Sequence, residues 1–516
     1  MQLTTMSNLR IAFRVDANQI IGTGHFMRCL ALADELSLQG AEIGFVSRGL
    51  PRHCELMLKQ KNISLHALPT STDIELSGDL MHTHWLGTSQ AKDAVQTIHA
   101  LASINWDWLV IDHYALDQRF ETKLRSAVKN IMVIDDLADR VHDCDLLLDQ
   151  NFQTNQAFRY LDKVPKHCQM LLGPTFALLR QEFQEARERL RIRSGDLKNI
   201  LVFFGGVDAE NHTGKVLKVL IDLRLNVQVN VVIGEQHPQR DEIQKMCVQH
   251  HFHCHVQTSQ MASLLSKADL VIGAGGTHVW ERFCLGVPSF CIATAANQMQ
   301  QLEELQNAGL LISEINSQNS IKTLTNFLDN VSLNADLLKG WSKKIVALVD
   351  GKGASKTVAA IKAHMLQIRM ANAYDAQNIY KWRNHPQIRK NSLSTEEISW
   401  TSHQRWFEER LNDKHGPILI GEVKGTPVGV VRFDIHQSDA EVSIYLVPES
   451  GFKGWGGVLL MKSESWLQLK YPKVLRLHAN VLPDNSSSIK LFSKQNYVVD
   501  AHTSPMEFMK NMETSP

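Results

Sequence analysis

The sequence has no excess charge of either sign: its 516 residues carry 54 lysines and arginines against 54 aspartates and glutamates. This balance argues against a broadly basic surface for nucleic acid or anionic membrane, so an anionic partner would have to be bound locally. No apolar run approaches the roughly 18 residues of a membrane span, and the first residues lack the apolar core of a signal peptide. We therefore expect a cytoplasmic protein that binds neither nucleic acid nor membrane. The oligomeric state stays open.

The eight cysteines form no CxxC pair, which removes a common signature of zinc ribbons and thioredoxin-like sites. Without secretory features we expect reduced thiols. One short segment concentrates cysteine and histidine: Cys247, His250, His251, His253, Cys254 and His255. Metal binding is one interpretation, and a strand with alternate histidines on one face is the other. The close spacing favours the strand, and we predict no metal cofactor.

Residues 9–150 alternate buried-strand and helix patterns, which is typical of a parallel α/β sheet. Strands are predicted at 9–15, 106–112, 131–134 and 146–148. Polar residues follow them, and ligands of such sheets bind at the carboxyl ends of the strands. Any single aspartate there could simply cap the next helix. Four such ends in one part of the chain favour a cleft.

A glycine-rich turn, Gly22-Thr23-Gly24-His25, follows the first predicted strand and precedes a helical pattern that ends near Gly40. A turn at a helix N-terminus offers backbone N–H groups to an anion. His25 would lie where that anion binds, which indicates chemistry. The simpler alternative is a flexible turn followed by a helix-capping histidine.

A second α/β unit is predicted after a charged helix at 181–193, which we interpret as a solvated segment between two lobes. Its strands are expected at 200–204, 227–233, 269–272 and 288–293. Gly205-Gly206 follows the first of these and Gly273–Thr277 follows the third. Backbone N–H groups in the second turn could bind a diphosphate, and Glu281 could accept hydrogen bonds from a ribose. The alternative is a tight turn needed only for packing.

The composition changes after a predicted helix at 357–365. The remaining residues form an α+β pattern with a hairpin at 418–423 and 428–435 and a third strand at 441–447. A glycine-rich loop, 448–457, then precedes an apolar helix at 458–469. A strand is expected at 475–481, and Asn485 is placed to cap the helix that follows it.

Five blocks in the first part, in this order, resemble the UDP-2,4-diacetamido-2,4,6-trideoxy-β-L-altropyranose hydrolases of pseudaminic acid synthesis. The first block is Arg14-Val15-Asp16 with Ile21 to His25 and Arg28-Cys29, and the others are Ile111 to Tyr114, Ile134 to Arg140, Leu147 to Asn151, and Phe204 to Asp208. The resemblance covers about residues 9–365. That family is similar to the two-lobed GT-B glycosyltransferases that use UDP-GlcNAc. The segment Gly273 to Glu281 resembles the nucleotide-binding signature of those glycosyltransferases.

The resemblance implies roles for individual residues. His25 would be the general base that activates water for attack on the anomeric carbon with inversion, and Asp16 would support it. Substrate contacts are implied for Arg14, Asp16, Gly22, Gly24, Tyr114, Asn297 and Gln298. UDP contacts are implied for Gly205, Gly206, Gly275, Gly276, Thr277 and Glu281.

The last part resembles GNAT acetyltransferases, in particular those that acetylate UDP-4-amino sugars in the same pathway. The motifs are Asp375 to Arg389, His403 to Phe407, and Asn485 to Tyr497. Acetyl-CoA contacts are implied for Lys453, Gly454, Trp455, Gly456, Gly457 and Asn485. Glu441 is the candidate base, although an exposed strand carboxylate is an equal alternative.

The tail departs from its family at two positions. Phe492 stands where many GNAT enzymes carry the tyrosine that protonates the CoA thiolate, so water or another group such as Tyr497 would serve. The glycine loop has Gly451 or Lys453 in place of the usual leading arginine or glutamine.

We predict a bifunctional enzyme with no metal: an α/β, GT-B-like hydrolase of two Rossmann-type lobes, 1–180 and 181–365, followed by an α+β GNAT domain, 366–516. It would use acetyl-CoA to acetylate the C4 amine of a UDP-amino sugar and would hydrolyse the UDP-sugar product. The alternative is a GT-B glycosyltransferase that uses a UDP-sugar and carries a non-catalytic GNAT-like binding module.

Overall fold

The structure, a computed structural model, describes residues 9–70, 79–315, 319–331, 335–452, 454–500 and 503–512. The chain divides into two compact units, one of residues 9–357 and one from residue 358 onward. Helix 353–365 contains this division, and the predicted boundary at 365/366 lies at the end of the same helix. Within the described residues, no helix has the length and apolar character needed to cross a membrane.

The first lobe of the first unit is a parallel α/β sheet. Its elements are β1 (Arg10–Val15), α1 (Gly24–Leu38), β2 (Glu42–Ser47), α2 (Arg52–Gln60), β3 (Ser64–Ala67), α3 (Gln90–Leu101), β4 (Trp106–Asp112), α4 (Gln118–Leu124), β5 (Val128–Ile134), β6 (Leu146–Asp149), α5 (Gln156–Arg159) and β7 (Gln169–Leu172). The strand order is β3-β2-β1-β4-β5-β6-β7. All seven residues of β4 are buried, as expected for a strand covered on both faces.

The second lobe repeats this architecture. Its elements are α6 (Gln181–Glu188), β8 (Asn199–Phe203), α7 (His212–Leu223), β9 (Gln228–Ile233), α8 (Arg240–Gln249), β10 (His253–Val256), α9 (Met261–Lys267), β11 (Leu270–Ala274), α10 (His278–Cys284), β12 (Ser289–Ile292), α11 (Met299–Asn307), β13 (Ile312–Glu314), α12 (Ser320–Val331), α13 (Ala335–Leu348) and α14 (Gly353–Met365). The parallel strands follow the order β10-β9-β8-β11-β12-β13.

Both sheets reverse their winding direction once, between β1 and β4 in the first lobe and between β8 and β11 in the second. Ligands of open α/β sheets bind at the carboxyl ends of the strands beside such a switch point. The glycine turn at 22–24 follows β1, and the turn at 275–277 follows β11. The fold therefore places both predicted glycine turns at ligand-binding positions.

The second unit contains an almost entirely antiparallel sheet with helices. Its further elements are β14 (Leu366–Met370), α15 (Ala376–Asn384), α16 (Pro386–Lys390), α17 (Trp400–Asn412), β15 (Ile418–Val423), β16 (Thr426–His436), β17 (Asp439–Leu446), α18 (Gly456–Lys470), β18 (Arg476–Val481), α19 (Ser486–Lys494), β19 (Val498–Asp500) and β20 (Met506–Asn511). The order is β14-β15-β16-β17-β18-β20-β19, and β17 and β18 are its parallel pair. These two strands pair only over 439–441 and 476–478, beyond which the ladder ends and both strands continue.

One predicted element is wrong in extent and, at one residue, in environment. The helix expected at 181–193 ends at Glu188; beyond it Arg189, Arg191 and Ile192 are exposed, as predicted, but Arg193 is not. Arg193 is buried and donates to the carbonyl oxygens of Leu265, Ala268 and Leu285. Its guanidinium thus satisfies carbonyls that the ends of α9 and α10 leave open. The predicted fold class, two Rossmann-type lobes followed by an α+β domain, is confirmed.

Candidate active sites

His25 is held by a carboxylate from the neighbouring strand. The imidazole Nδ1 lies 2.6 Å from Oδ1 of Asp112, the last residue of β4. Val15 of β1 is directly opposite Asp112 in the sheet, so the pairing of these strands brings the carboxylate beside the start of α1. No described residue bonds to the other ring nitrogen, Nε2, which leaves that nitrogen available to a ligand.

Arg28, one turn later in α1, fixes the Asp112 carboxylate. Its Nε donates to Oδ2 at 2.6 Å and its Nη2 donates to Oδ1 at 2.7 Å, a bidentate arrangement. Burial would raise the pKa of Asp112, but the charge of Arg28 and the His25 ring outweigh burial and hold this pKa below its usual range. Asp112 is therefore an acceptor at neutral pH, and a neutral His25 carries its proton on Nδ1. The lone pair of Nε2 is then free to accept a proton.

Aromatic rings surround the histidine. The Tyr114 ring meets the imidazole edge-on with ring centres 4.6 Å apart, and the Trp85 ring lies 5.9 Å away. The two aromatic rings stack on each other at 5.3 Å. Tyr114 is buried and donates its hydroxyl to Asp136, which also accepts from Arg28. The structure thus places Tyr114 beside His25, and its predicted contact with sugar stays a prediction.

The two glycine turns meet across the lobes. A Cβ at Gly24 would lie 3.5 Å from the hydroxyl oxygen of Thr277, so bulk at this position would press on the opposite turn. Gly275 is needed for packing, because a Cβ there would lie 2.5 Å from Leu302 of α11. Gly276 faces Gln298, whose amide nitrogen would be 3.7 Å from a Cβ. Three predicted ligand-binding positions, Gly24, Gly276 and Thr277, therefore line one small region.

Neither glycine turn is capped by a side chain at the helix that follows it. Thr23 precedes α1 and Thr277 precedes α10, and neither accepts a capping hydrogen bond with its side chain. The first N–H groups of a helix have no partner within the helix and carry the positive end of its dipole. The region between the turns is consequently suited to an anion.

Glu281, the predicted ribose acceptor, already has two partners. Its carboxylate lies 2.6 Å from Nδ1 of His278 and 3.3 Å from Nη2 of Arg180. Burial would raise the pKa of Glu281, but His278 and Arg180 outweigh burial and lower this pKa. Glu281 is therefore an anionic acceptor beside the glycine turn, and a ribose would share it with His278.

Arg14 and Asp16, two predicted substrate contacts, are engaged inside the protein, and their contacts with substrate stay predictions. Arg14 is completely buried. Its guanidinium donates hydrogen bonds to Asp16 at 2.7 Å and to both carboxylate oxygens of Asp93. Asp16 also accepts from Ser47 and from the backbone N–H of Arg48. These residues form an internal ion network beneath the switch point. The carboxylate that pairs with His25 is Asp112 and not Asp16, which corrects the expected support by Asp16.

The other predicted positions in the first unit differ in what surrounds them. Gly22 has a positive φ of 76°, which glycine adopts without strain. Gly205 also has a positive φ, and a Cβ at Gly206 would meet no atom within 4 Å. Asn297 is exposed. These residues lie near the carboxyl edges of the sheets, and their ligand contacts stay predictions.

The cysteine- and histidine-rich segment at 247–255 does not form a ligand cluster. His253 to His255 lie on β10, where Nε2 of His255 lies 3.2 Å from the side-chain oxygen of Asn230 on β9. Cys247 is buried on α8. Within the described part of the chain, no group of three or more histidine, cysteine, aspartate or glutamate side chains is arranged to hold a metal ion.

The second unit contains a cavity of about 1210 Å³ at the point where β17 and β18 separate. Its wall includes the ends of these strands and the glycine loop before α18, which supplies Gly451, Gly454, Gly456 and Gly457. Ligand sites for a single drug-sized molecule occupy roughly 300–1,000 Å³. The cavity is thus larger than the site of one drug-sized molecule.

The predicted acetyl-CoA contacts fall into three groups. Gly454, Gly456 and Gly457 line the cavity, and α18 begins at Gly456 without a side-chain cap. Trp455 is buried in the hydrophobic core, so only its backbone can reach a ligand. Asn485 lines the cavity while capping α19 through Ser488 N, and Lys453 lies outside the described residues.

Neither Phe492 nor Tyr497 is arranged as an acid for the CoA thiolate. Phe492 is buried and packs against Tyr497 with ring centres 5.0 Å apart. Tyr497 is also buried and donates its hydroxyl to Glu464 at 2.7 Å. Burial and the Glu464 charge raise the pKa of Tyr497. Glu441 lines the cavity and accepts from the Asn480 amide at 3.2 Å, which keeps it a candidate base.

Comparison with known proteins finds one domain model that matches part of each unit. Residues 199–353 match the model of the glycosyltransferase family 28 C-terminal domain. Residues 365–498 match the model of the acetyltransferase (GNAT) domain. The two matched segments follow one another along the chain, and each covers less than half of it. The resemblance predicted from the sequence is thereby confirmed for both parts of the chain.

Three relatives show how the two parts occur elsewhere. An uncharacterized protein of Methanocaldococcus jannaschii is 24% identical over 503 residues, which cover 95% of this chain and 96% of that protein. The UDP-2,4-diacetamido-2,4,6-trideoxy-beta-L-altropyranose hydrolase of Campylobacter jejuni is 25% identical over 56% of this chain and 93% of that enzyme. The acetyltransferase PseH of Campylobacter jejuni is 27% identical over 25% of this chain and 80% of that enzyme.

Proposed function

We propose that this chain performs two consecutive reactions on one nucleotide sugar. The second unit acetylates the C4 amine of a UDP-4-amino sugar with acetyl-CoA. The first unit hydrolyses the resulting UDP-2,4-diacetamido-2,4,6-trideoxy-β-L-altropyranose to UDP and the free sugar. The proposal is supported by similarity to two Campylobacter jejuni enzymes with these names. One observation carries the hydrolytic half: the His25–Asp112 pair lies where the two glycine turns meet.

In the hydrolysis, Nε2 of His25 accepts a proton from water as the water oxygen attacks the anomeric carbon. The bond between that carbon and the phosphate oxygen breaks, and UDP leaves as the anion. The Asp112 carboxylate stabilises the imidazolium that forms, since Nδ1–H points at it over 2.6 Å. N–H groups of the two glycine turns stabilise the diphosphate charge. Attack opposite the leaving group inverts the anomeric configuration.

In the acetyl transfer, the sugar amine attacks the thioester carbonyl carbon while both substrates occupy the cavity. The nitrogen–carbon bond forms, the carbon–sulfur bond breaks, and Glu441 removes the amine proton through water. The CoA thiolate leaves without a tyrosine acid, because Phe492 cannot donate and Tyr497 is engaged by Glu464. A thiol pKa near about 8.5 permits release as the thiolate. Backbone N–H groups at the start of α18 bind the CoA pyrophosphate.

The His25→Asn variant tests the hydrolytic half. It should bind UDP-sugar normally and lose about 10²–10⁴-fold in hydrolysis, the usual contribution of a general base. UDP release in a coupled assay gives the rate, and calorimetry with UDP gives the binding. Hydrolysis at a near-normal rate would remove His25 from the mechanism.

A glycosyltransferase is the second candidate for the first unit, because residues 199–353 match a glycosyltransferase domain model. Such an enzyme would need an acceptor before it released UDP. The proposed hydrolase releases UDP from the UDP-sugar in water alone. Incubation with and without candidate acceptors separates the two functions.

A further inference from the structure

Three polar side chains in the cavity of the second unit have no part in the acetyl transfer described above. Arg383 of α15, Arg432 of β16 and Tyr445 of β17 all line the cavity wall. The Nη1 atom of Arg383 and the hydroxyl oxygen of Tyr445 are buried, and neither has a hydrogen-bond partner. Buried donors without partners are rare in folded proteins, which suggests that a ligand satisfies them.

Negative charge compensates the cluster only at Arg432, on which Asp434 and Glu441 act. Among the described residues no carboxylate lies within ion-pair distance of Arg383, whose Nη2 donates only to the carbonyl oxygen of Ser394 at 3.2 Å. Arg432 pairs with Asp434 at 3.1 Å, but Asp434 also pairs with Arg410. Burial lowers the pKa of Arg383, and the charge of Arg432 lowers it further. A desolvated cation of this kind is stabilised by an anion.

The geometry of the cluster suits a phosphate group. The Arg432 guanidinium lies 5.9 Å from the centre of the Trp406 ring, a cation–π contact that orients its planar face. Guanidinium groups bind phosphate oxygens through two parallel hydrogen bonds, and a phenol hydroxyl can donate a third. Tyr445 and Glu441 share one face of β17 because four residues separate them, a distance of about 13 Å. Arg432 lies opposite Ser443, between these two residues, so the diphosphate would lie toward Tyr445 and the sugar amine toward Glu441.

We propose that Arg383, Arg432 and Tyr445 bind the diphosphate of the nucleotide-sugar acceptor. The nucleotide would then position the sugar amine beside the thioester, and the enzyme would select nucleotide-linked amino sugars over free ones. This proposal rests on the acetyl transfer proposed above. It assigns the diphosphate of the acceptor to the arginine cluster and the pyrophosphate of CoA to the start of α18.

Steady-state kinetics of the full chain test the assignment, with free CoA thiol as the measured product. Arg383→Gln should raise the KM for a UDP-4-amino sugar about 10- to 100-fold, the usual cost of a charge-assisted hydrogen bond. The KM for acetyl-CoA should stay within about twofold of wild type. Tyr445→Phe should raise the acceptor KM about 2- to 10-fold, and Arg383→Lys should fall between wild type and Arg383→Gln. Arg405→Gln, an exposed position on α17 outside the cavity wall, is the matched control and should be unchanged.

Two kinetic results would overturn the assignment. One is an unchanged acceptor KM in Arg383→Gln. The other is a rise in the KM for acetyl-CoA instead, which would mean that Arg383 binds CoA and not the acceptor. A free amino sugar without nucleotide provides an internal check, because its acetylation should not respond to Arg383→Gln.

A binding measurement keeps the diphosphate site testable apart from catalysis. In calorimetric titrations of the full chain with UDP, in the presence of saturating CoA, the binding stoichiometry should be one UDP per chain lower for Arg383→Gln than for wild type. If wild type acetylates no UDP-4-amino sugar, the proposed acetyl transfer fails, while a loss of one equivalent still supports the diphosphate site. An equal count in both proteins would refute the site.

Discussion

The Asp112→Asn substitution should disable His25 by fixing the wrong tautomer. Asp112 presents Oδ2 to Nε of Arg28 and Oδ1 to Nδ1 of His25. An asparagine has one acceptor oxygen for the three donors that the carboxylate serves, because Nη2 of Arg28 also donates to Oδ1. We expect that oxygen to stay on Nε of Arg28, where Oδ2 accepts at 2.6 Å. The NH₂ group of the asparagine then faces Nδ1 of His25, which must become the acceptor. The ring proton moves to Nε2, and the lone pair that would accept a proton from water is lost.

The structure sets the size of two effects of this substitution. The hydrolytic kcat should fall about 10²–10⁴-fold, since a base in the wrong tautomer contributes nothing, while the KM changes little. Loss of one partner from a buried ion pair costs about 3–5 kcal/mol of stability. Arg28 retains Asp136 at 2.9 Å, so we expect a loss of about 3 kcal/mol, at the lower end of that range.

The assay is UDP release from the UDP-diacetamido sugar, with chemical denaturation run on the same samples. Asp34→Asn is the matched control on α1: Asp34 pairs with Lys61 at 2.9 Å near the surface. Such a pair contributes about 0–1 kcal/mol, and hydrolysis should be unaffected. A folded Asp112→Asn enzyme with wild-type kcat would refute the tautomer argument.

Three further variants test separate parts of the molecule. Glu281→Gln should raise the KM for UDP-sugars by weakening an anionic ribose acceptor, and CoA release should not change; an unaltered KM would exclude Glu281 from the UDP site. Gly456→Glu places a negative charge at the start of α18 and should abolish acetyl-CoA binding measured by calorimetry while hydrolysis continues; retained binding would place the pyrophosphate elsewhere. Burial would lower the pKa of His142, but Glu121 and Asp135 outweigh burial and raise it from 6.5 to about 9. The resulting stabilisation, about 3 kcal/mol, is present below pH 6.5 and lost as the pH rises to 9, so the wild-type Tm should fall more steeply over this range than that of His142→Gln. Parallel Tm curves would contradict the assigned charge.

The fold was predictable where apolar runs are long and unbroken. The predicted bounds of the strand at 106–112 agree with β4, because every residue of that run is buried between helix layers. The charged segment at 181–193 was not predictable in the same way. Its arginines are typical of a solvated helix face. Arg193 is nevertheless buried, and it donates hydrogen bonds to carbonyl oxygens at the end of α9, more than 70 residues later in the sequence.

The site was predictable only in its local motifs. The turn before His25 is contiguous, and a glycine turn between a strand and a helix can be recognised from sequence. Asp112 is 87 residues away from His25, so no local motif links the two residues. The missed signal was the strand order, since the first and fourth strands of a doubly wound sheet flank the switch point. Trp85 lies in a short 3-10 turn that no periodic pattern marks.

The central claim is that one chain acetylates a UDP-4-amino sugar and then hydrolyses the product. Mass spectrometry of a reaction containing the full chain, the UDP-4-amino sugar and acetyl-CoA tests it most directly. The account predicts CoA, UDP and the free 2,4-diacetamido sugar, with far less UDP when acetyl-CoA is omitted. An unchanged amino sugar, or an acetylated UDP-sugar that persists until an acceptor is added, would contradict it.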